Sequence, residues 1–173
     1  MTRKADAMSS TLAQPRTTFS ATRLRGRRRI PAVPVATDDL AAVRAIPGWQ
    51  VVERSAFGFV DQVAVAPSAI VAITARHHTP LQGDAHVQRA WKAIRDAKGS
   101  AALMKQMLGP DSPEVTPVLV LSGPGAPELE DGHMLIKGVR VVDGSRPHLW
   151  AHLFNAPNLD ELEQRRLARS LRV

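Results

Sequence analysis

A chain of 173 residues accommodates one ordinary domain and a tail, and is too short for two full domains. It has no cysteine, which excludes disulfides, thiolate zinc sites and a cysteine nucleophile and fits a reducing compartment. No apolar run approaches the roughly 18 residues of a membrane helix and the N-terminus lacks the apolar core of a secretory signal, so a soluble, cytoplasmic protein with no membrane partner is expected.

The formal net charge of +7 suggests a polyanion partner, but residues 1–30 hold 8 of the 23 Lys and Arg residues and 1 of the 16 acids, which leaves 15 of each sign elsewhere. The charge therefore belongs to a tail, residues 1–34, that is polar, poor in acids and too poor in apolar side chains to fold alone. Its Arg23, Arg25, Arg27, Arg28 and Arg29 suit the phosphates of DNA or RNA, which they would hold through counterion release in a salt-sensitive, sequence-blind way. A solvated extension with no ligand explains the same composition, and the acid-poor Arg/Ser start also resembles an organelle transit peptide.

Residues 35–173 read as a single α/β domain. Thr37 caps a predicted helix over 38–46, with Asp38 and Asp39 in its first turn, Leu40 and Val43 toward the core, and Pro47-Gly48 stopping it. "WQVVER", 49–54, reads as a strand. "VDQVAVAPSAIVAITARHH", 60–78, reads as two apolar strands around a Pro67-Ser68 turn. Partners across such a loop have position numbers with a constant sum. Ala66 then faces Ala69 and Val65 faces Ile70. Asp61 comes opposite Thr74, and Arg76 points to the same face.

The next segment, 84–108, carries Val87, Ala90, Trp91, Ile94 and Ala97 at helical spacing and predicts a long helix, with a possible break at Gly99-Ser100. "VLVLS", 118–122, is a continuous apolar run expected in a central strand covered on both faces. "GVRVVDG", 138–144, predicts another strand. Residues 158–172 predict a final helix, with Asn158 and Glu161 at capping-box spacing and a buried stripe of Leu159, Leu162, Leu167 and Leu171.

An antiparallel hairpin running into a long helix and then a buried strand describes a mixed sheet between helices. With Asp61 opening one strand and "ITAR", Ile73 to Arg76, ending the next, residues 49–143 resemble the nuclease-related domain (NERD) family, a branch of the PD-(D/E)XK nuclease superfamily. That family has an Asp starting one strand and Ile-Glu-x-Lys ending the partner, and apolar strands where this chain has "TPVLVLS" and "GVRVV". The resemblance implies a restriction-endonuclease-like mixed β-sheet flanked by helices, with Asp61, Thr74 and Arg76 at the catalytic positions.

Two of those positions depart from the family. Its mechanism uses two carboxylates to hold Mg²⁺ against the scissile phosphate and a lysine to orient the attacking water, and Mg²⁺ requires hard oxygen ligands. Thr74 supplies no charge where the family has glutamate. Arg76 stays protonated where a tuned lysine shares its proton, and it can pair with Asp61 across the hairpin instead. Glu53 and Asp84 are the nearest replacement acids in sequence, useful only if they converge on Asp61.

His77, His78, Asp84 and His86 lie close in sequence but match no zinc pattern, and His133, His148 and His152 are scattered. "SGPGAPE", 122–128, lacks the Walker lysine and hydroxyl and reads as a plain turn. Three functions follow. The first is a degenerate nuclease fold kept for nucleic-acid binding or protein interaction, with no cofactor expected. The second is an active, divergent Mg²⁺-dependent nuclease using Asp61 and a migrated carboxylate. The third is an interaction domain that shares only the fold.

Overall fold

The structure, a computed structural model, describes residues 37–77 and 84–173, with side chains from 40 and from 87 onward in the two segments. The tail with its five clustered arginines, His78, and the side chains of Thr37, Asp38, Asp39, Asp84 and His86 lie outside the described residues.

The elements run α1 (Thr37–Arg44), β1 (Gln50–Val52), β2 (Gln62–Val65), β3 (Ile70–His77), α2 (Asp84–Leu108), β4 (Val115–Ser122), β5 (His133–Ile136), β6 (Val139–Asp143), two 3-10 turns (Pro147–Leu149 and Ala151–Phe154) and α3 (Glu161–Ser170). Six strands form one mixed sheet in the order β1-β2-β3-β4-β6-β5. The β1–β2, β2–β3 and β5–β6 pairs are antiparallel, whereas β3–β4 and β4–β6 are parallel. This is the mixed sheet flanked by helices that the hairpin, long helix and buried run predict.

Strand alternation sorts the core into two layers. On one face Val63, Val65, Ile70 and Ala72 meet Ala101 and Met104 of α2 and Ala168 and Leu171 at α3. Further along the same face, Leu119, Val139 and Val141 meet Ala93, Ile94 and Ala97 of α2. On the other face Ala64, Val71, Ile73, Val118, Val120 and Val142 are covered by Val43 of α1 and by Trp49, Trp150 and Phe154. Trp49 meets Trp150 and Phe154 edge-on, with ring centroids 6.0 and 5.3 Å apart. Each fully buried large side chain of this kind contributes about 1.5–3 kcal/mol.

Several local expectations are corrected. The chain makes one strand more than the five expected, β5. Its two-residue loop is Lys137-Gly138, with φ of 50° and 82°, the positive pair demanded by a type I′ turn. The usual Asn-Gly or Asp-Gly signature is absent, and Met134 and Leu135 are exposed, so alternation gave no strand signal.

α2 passes through Gly99-Ser100 without a break, because Ala97, Ala101 and Met104 on its buried side hold it against the sheet. Val87 is 55% exposed and Trp91 39%, so the buried stripe is Ala93, Ile94, Ala97, Ala101 and Met104 instead. α3 starts at Glu161, with Asp160 and Glu163 forming the capping box in place of Asn158 and Glu161. The amide of Asn158 donates to Pro67 O at 3.1 Å, which keeps that residue outside the helix. Leu162 points to solvent, while Gln164 and Ala168 are buried.

The tip of the β2–β3 hairpin is fastened from a distance. Ala66 N donates to Ala69 O, Ser68 N donates to Phe154 O, and Pro67 O accepts from both Asn158 N and Leu159 N.

Candidate functional site

The β2–β3 ladder has the register expected from the turn: Val65 pairs with Ile70 and Gln62 with Ile73. Asp61, one residue before β2, donates its amide to Ile73 O at 3.0 Å, one position off the register in which Ile73 pairs with Gln62, so the regular ladder ends before the expected Asp61–Thr74 pair. Its carboxylate turns toward β3. Oδ2 accepts from the amide of Ala75 at 2.8 Å and from Arg76 Nη1 at 3.2 Å. Arg76 Nη1 also donates to Ala75 O at 2.7 Å, which fixes the guanidinium over the strand end. The side chains are 34% exposed for Asp61 and 41% for Arg76, so the pair sits at a solvent-facing rim.

Thr74 follows the alternation of Ile70 and Ala72 toward α2 and is 4% exposed. On β4 its register partner is Leu119, itself packed against α2. The hairpin thus joins Asp61 to Arg76 and buries the neutral Thr74 beside them.

Glu53 lies in the turn after β1, exposed, and makes no hydrogen bond or ion pair among the described residues. The backbone of α2 begins at Asp84. Among the described residues no group of three His, Asp or Glu side chains converges on a common point. An Mg²⁺ site fits this donor set poorly, because one carboxylate already engaged by an amide and a guanidinium offers little to an ion that wants carboxylates and water.

His77 ends β3 on the face opposite Arg76, and its Nδ1 lies 3.4 Å from Ser122 Oγ at the end of β4. His133 Nδ1 is 3.0 Å from Asp131 O, and His148 and His152 sit in the 3-10 turns.

Asp143, at the end of β6, is an engaged acid outside the set expected from the sequence. Burial pushes its carboxyl up, but hydrogen bonds from the Ser145 hydroxyl, Arg146 and the Ser145 amide outweigh this and hold it below the usual value. Ser145 N and Oγ reach Oδ1 at 2.8 and 2.6 Å, and Arg146 Nε reaches Oδ2 at 2.7 Å. The "DGSR" run, 143–146, carries the signal for this, since Asp before Gly and Ser commonly accepts from the amide two residues on. Asp143, Arg146, Ser122 and Glu128 line a cavity of about 380 Å³. The "SGPGAPE" segment forms a turn there, with Ala126 N donating to Gly123 O at 3.0 Å. Both oxygens of Asp143 are occupied from within, so it serves to hold the bend that follows β6.

The site and sheet define a mixed α/β protein with an acid-arginine pair at a hairpin mouth. In comparison with known proteins, the chain matches no family model, no curated protein and no solved structure.

Proposed function

We propose that this chain is a nucleic-acid-binding module on a restriction-endonuclease-like, NERD-like fold whose metal site has decayed. The single observation that carries this reading is the Asp61–Arg76 pair. Asp61 stands where the resemblance expects a metal ligand, at the start of one hairpin strand, yet its Oδ2 is held by Ala75 N and Arg76 Nη1. Thr74, where the second carboxylate is expected, is buried and neutral.

The sheet supports the same reading: an antiparallel hairpin continues through α2 into the parallel strand β4. With no second carboxylate beside Asp61 among the described residues, no hydrolytic step is assigned to this site. What remains is affinity, in which Arg76 and the arginines at 23–29 hold phosphates.

Labelled single- and double-stranded DNA and RNA, titrated with the full chain with and without Mg²⁺, test the proposal. Binding that weakens as salt rises, with no strand cleavage, is expected. Deletion of residues 1–30 weakens it and flattens the salt dependence. Mg²⁺-dependent cleavage lost in Asp61→Ala replaces this reading with the active nuclease, and no binding at low salt leaves an interaction domain.

A further inference from the structure

The solvent side of α2 carries a feature the fold does not need. The helix is anchored by Ala93, Ile94, Ala97, Ala101 and Met104, yet Trp91 is 39% exposed. Arg95 and Lys98 follow it at i+4 and i+7, on the same side of the helix, and Lys92 and Arg95 line one shallow cavity together with Trp91.

A fourth cation arrives from another element. The ammonium of Lys137, in the β5–β6 turn, lies 4.7 Å from the centroid of the Trp91 ring. Lys98 Nζ donates to Lys137 O at 3.2 Å, tying the turn to the helix. Lys137 adopts a φ of 50°, a conformation that costs a lysine more than glycine or asparagine. A long cation is thus kept at a strained position, directly over an exposed aromatic ring.

Charge is locally one-sided although the domain as a whole is balanced. Residues 87–98 include Arg89, Lys92, Arg95 and Lys98 against a single acid, Asp96. Asp96 is engaged by Lys92 at 2.6 Å. The exposed Arg95 side chain makes no hydrogen bond or ion pair among the described residues.

We infer that this face of α2 is a stacking site for single-stranded nucleic acid, with Trp91 as the platform for one base once the Lys137 ammonium moves from the ring to a phosphate, and with Lys92, Arg95, Lys98 and Lys137 holding the flanking phosphates. The inference rests on the nucleic-acid-binding reading and names the part of the folded domain that makes the contact. Aromatic stacking beside cations suits unpaired bases, whose flat faces are free, and discriminates against a duplex, which presents only edges and backbone. An acidic peptide satisfies the cations but gives the indole no ring to stack on.

The full chain provides its own probe. Trp49 and Trp150 are 7% and 0% exposed, so quenching of intrinsic fluorescence reports on Trp91. An oligothymidine of about a dozen nucleotides, within the site sizes known for such surfaces, is expected to quench it, while a duplex and polyglutamate are not. By anisotropy of the labelled oligonucleotide, Trp91→Ala weakens binding about tenfold and Trp91→Phe retains most of it. Arg95→Glu weakens binding and lowers the salt slope by about one or more. Circular dichroism establishes that each variant is folded, and Trp91→Phe keeps the comparison valid if Trp91→Ala is not.

Equal quenching by duplex or by polyglutamate overturns the inference. So does oligonucleotide binding that leaves fluorescence unchanged, ignores Trp91→Ala, and disappears when the five arginines at 23–29 become alanine. That last result leaves the nucleic-acid reading standing and removes only this surface, whereas no binding of any oligonucleotide removes both.

Discussion

Arg76 Nη1 lies 3.2 Å from Asp61 Oδ2, and the same oxygen accepts the Ala75 amide at 2.8 Å. The two contacts differ in kind. The guanidinium arm is water-screened and exchangeable, whereas the amide arm holds a backbone donor of a buried strand residue. Arg76→Ala is therefore expected to cost under about 1 kcal/mol, with that cost shrinking in high salt. Asp61→Ala costs about 1–2 kcal/mol because it also strands the amide. Urea denaturation of both variants at low and high salt checks the ordering; an equal cost for the two contradicts it.

Installing the Glu-x-Lys of the proposed NERD-like pattern tests whether position 74 shares a site with Asp61. In Thr74→Glu with Arg76→Lys, a carboxylate enters a position that is 4% exposed next to Asp61. Without metal this double variant is destabilised, since desolvation and the neighbouring acid both raise the new carboxyl's pKa. Its charged form is disfavoured in the folded state, so the destabilisation grows as pH rises through the unfolded value near 4.3. Millimolar Mg²⁺ is expected to raise the Tm of the double variant more than that of the parent. A thermal melt series in pH and Mg²⁺ measures both, and a folded double variant that ignores the ion removes the pairing of Asp61 with position 74.

Asp143 gives the opposite pH signature. Its folded pKa lies below the ordinary 3.8, so its stabilising hydrogen bonds are fully present above that value and are lost as pH falls through the lowered one. Asp143→Asn should be less stable than the parent by about 1.5–3 kcal/mol near neutrality, the range for hydrogen bonds to a charged group. The gap narrows below the unfolded pKa. Denaturation at pH 7 and in the acid range reads the difference; a gap that widens in acid is inconsistent with this account.

Two helix positions offer cleaner arithmetic. A Cβ at Gly99 meets no atom within 4 Å, so Gly99→Ala is expected to stabilise by about 0.5–1 kcal/mol. Asp160 caps α3 through the Glu163 amide at 2.7 Å, and Asp160→Ala should cost about 1 kcal/mol. Chemical denaturation of the two variants tests opposite signs in one protein.

What could be read in the sequence follows the strength of local constraint. The β2–β3 register was legible because the loop fixes the sum of partner numbers, and the span of α2 was legible from the apolar spacing of its first half, although that spacing gave neither its continuity through Gly99-Ser100 nor its buried side. The fate of Asp61 was only half legible: spacing brings it to Arg76, but sequence does not reveal that the Ala75 amide takes the same oxygen. β5 was hidden by Lys137, which occupies a positive-φ position without the usual turn residue. The α3 cap was ambiguous because Asn158–Glu161 and Asp160–Glu163 share one spacing, and the choice depends on a bond from Asn158 to Pro67 made far along the chain. Trp91 fitted the helical stripe by number, yet the buried side is centred on smaller residues nearer the sheet.

The fastening of the hairpin tip governs the order of events during synthesis. Ser68 and Pro67 complete their hydrogen bonds only with Phe154, Asn158 and Leu159, which leave the ribosome long after the hairpin has emerged. Until they dock, the strand pair that brings Asp61 to Arg76 lacks the bonds that fasten its tip and holds only through its own ladder and its pairing with β1 and, once synthesised, β4. Such long-range closure slows folding and leaves the apolar faces of β2 and β3 open to other chains in the interval. Crowded expression at high temperature should therefore penalise this protein through its nascent chain before it penalises the finished fold.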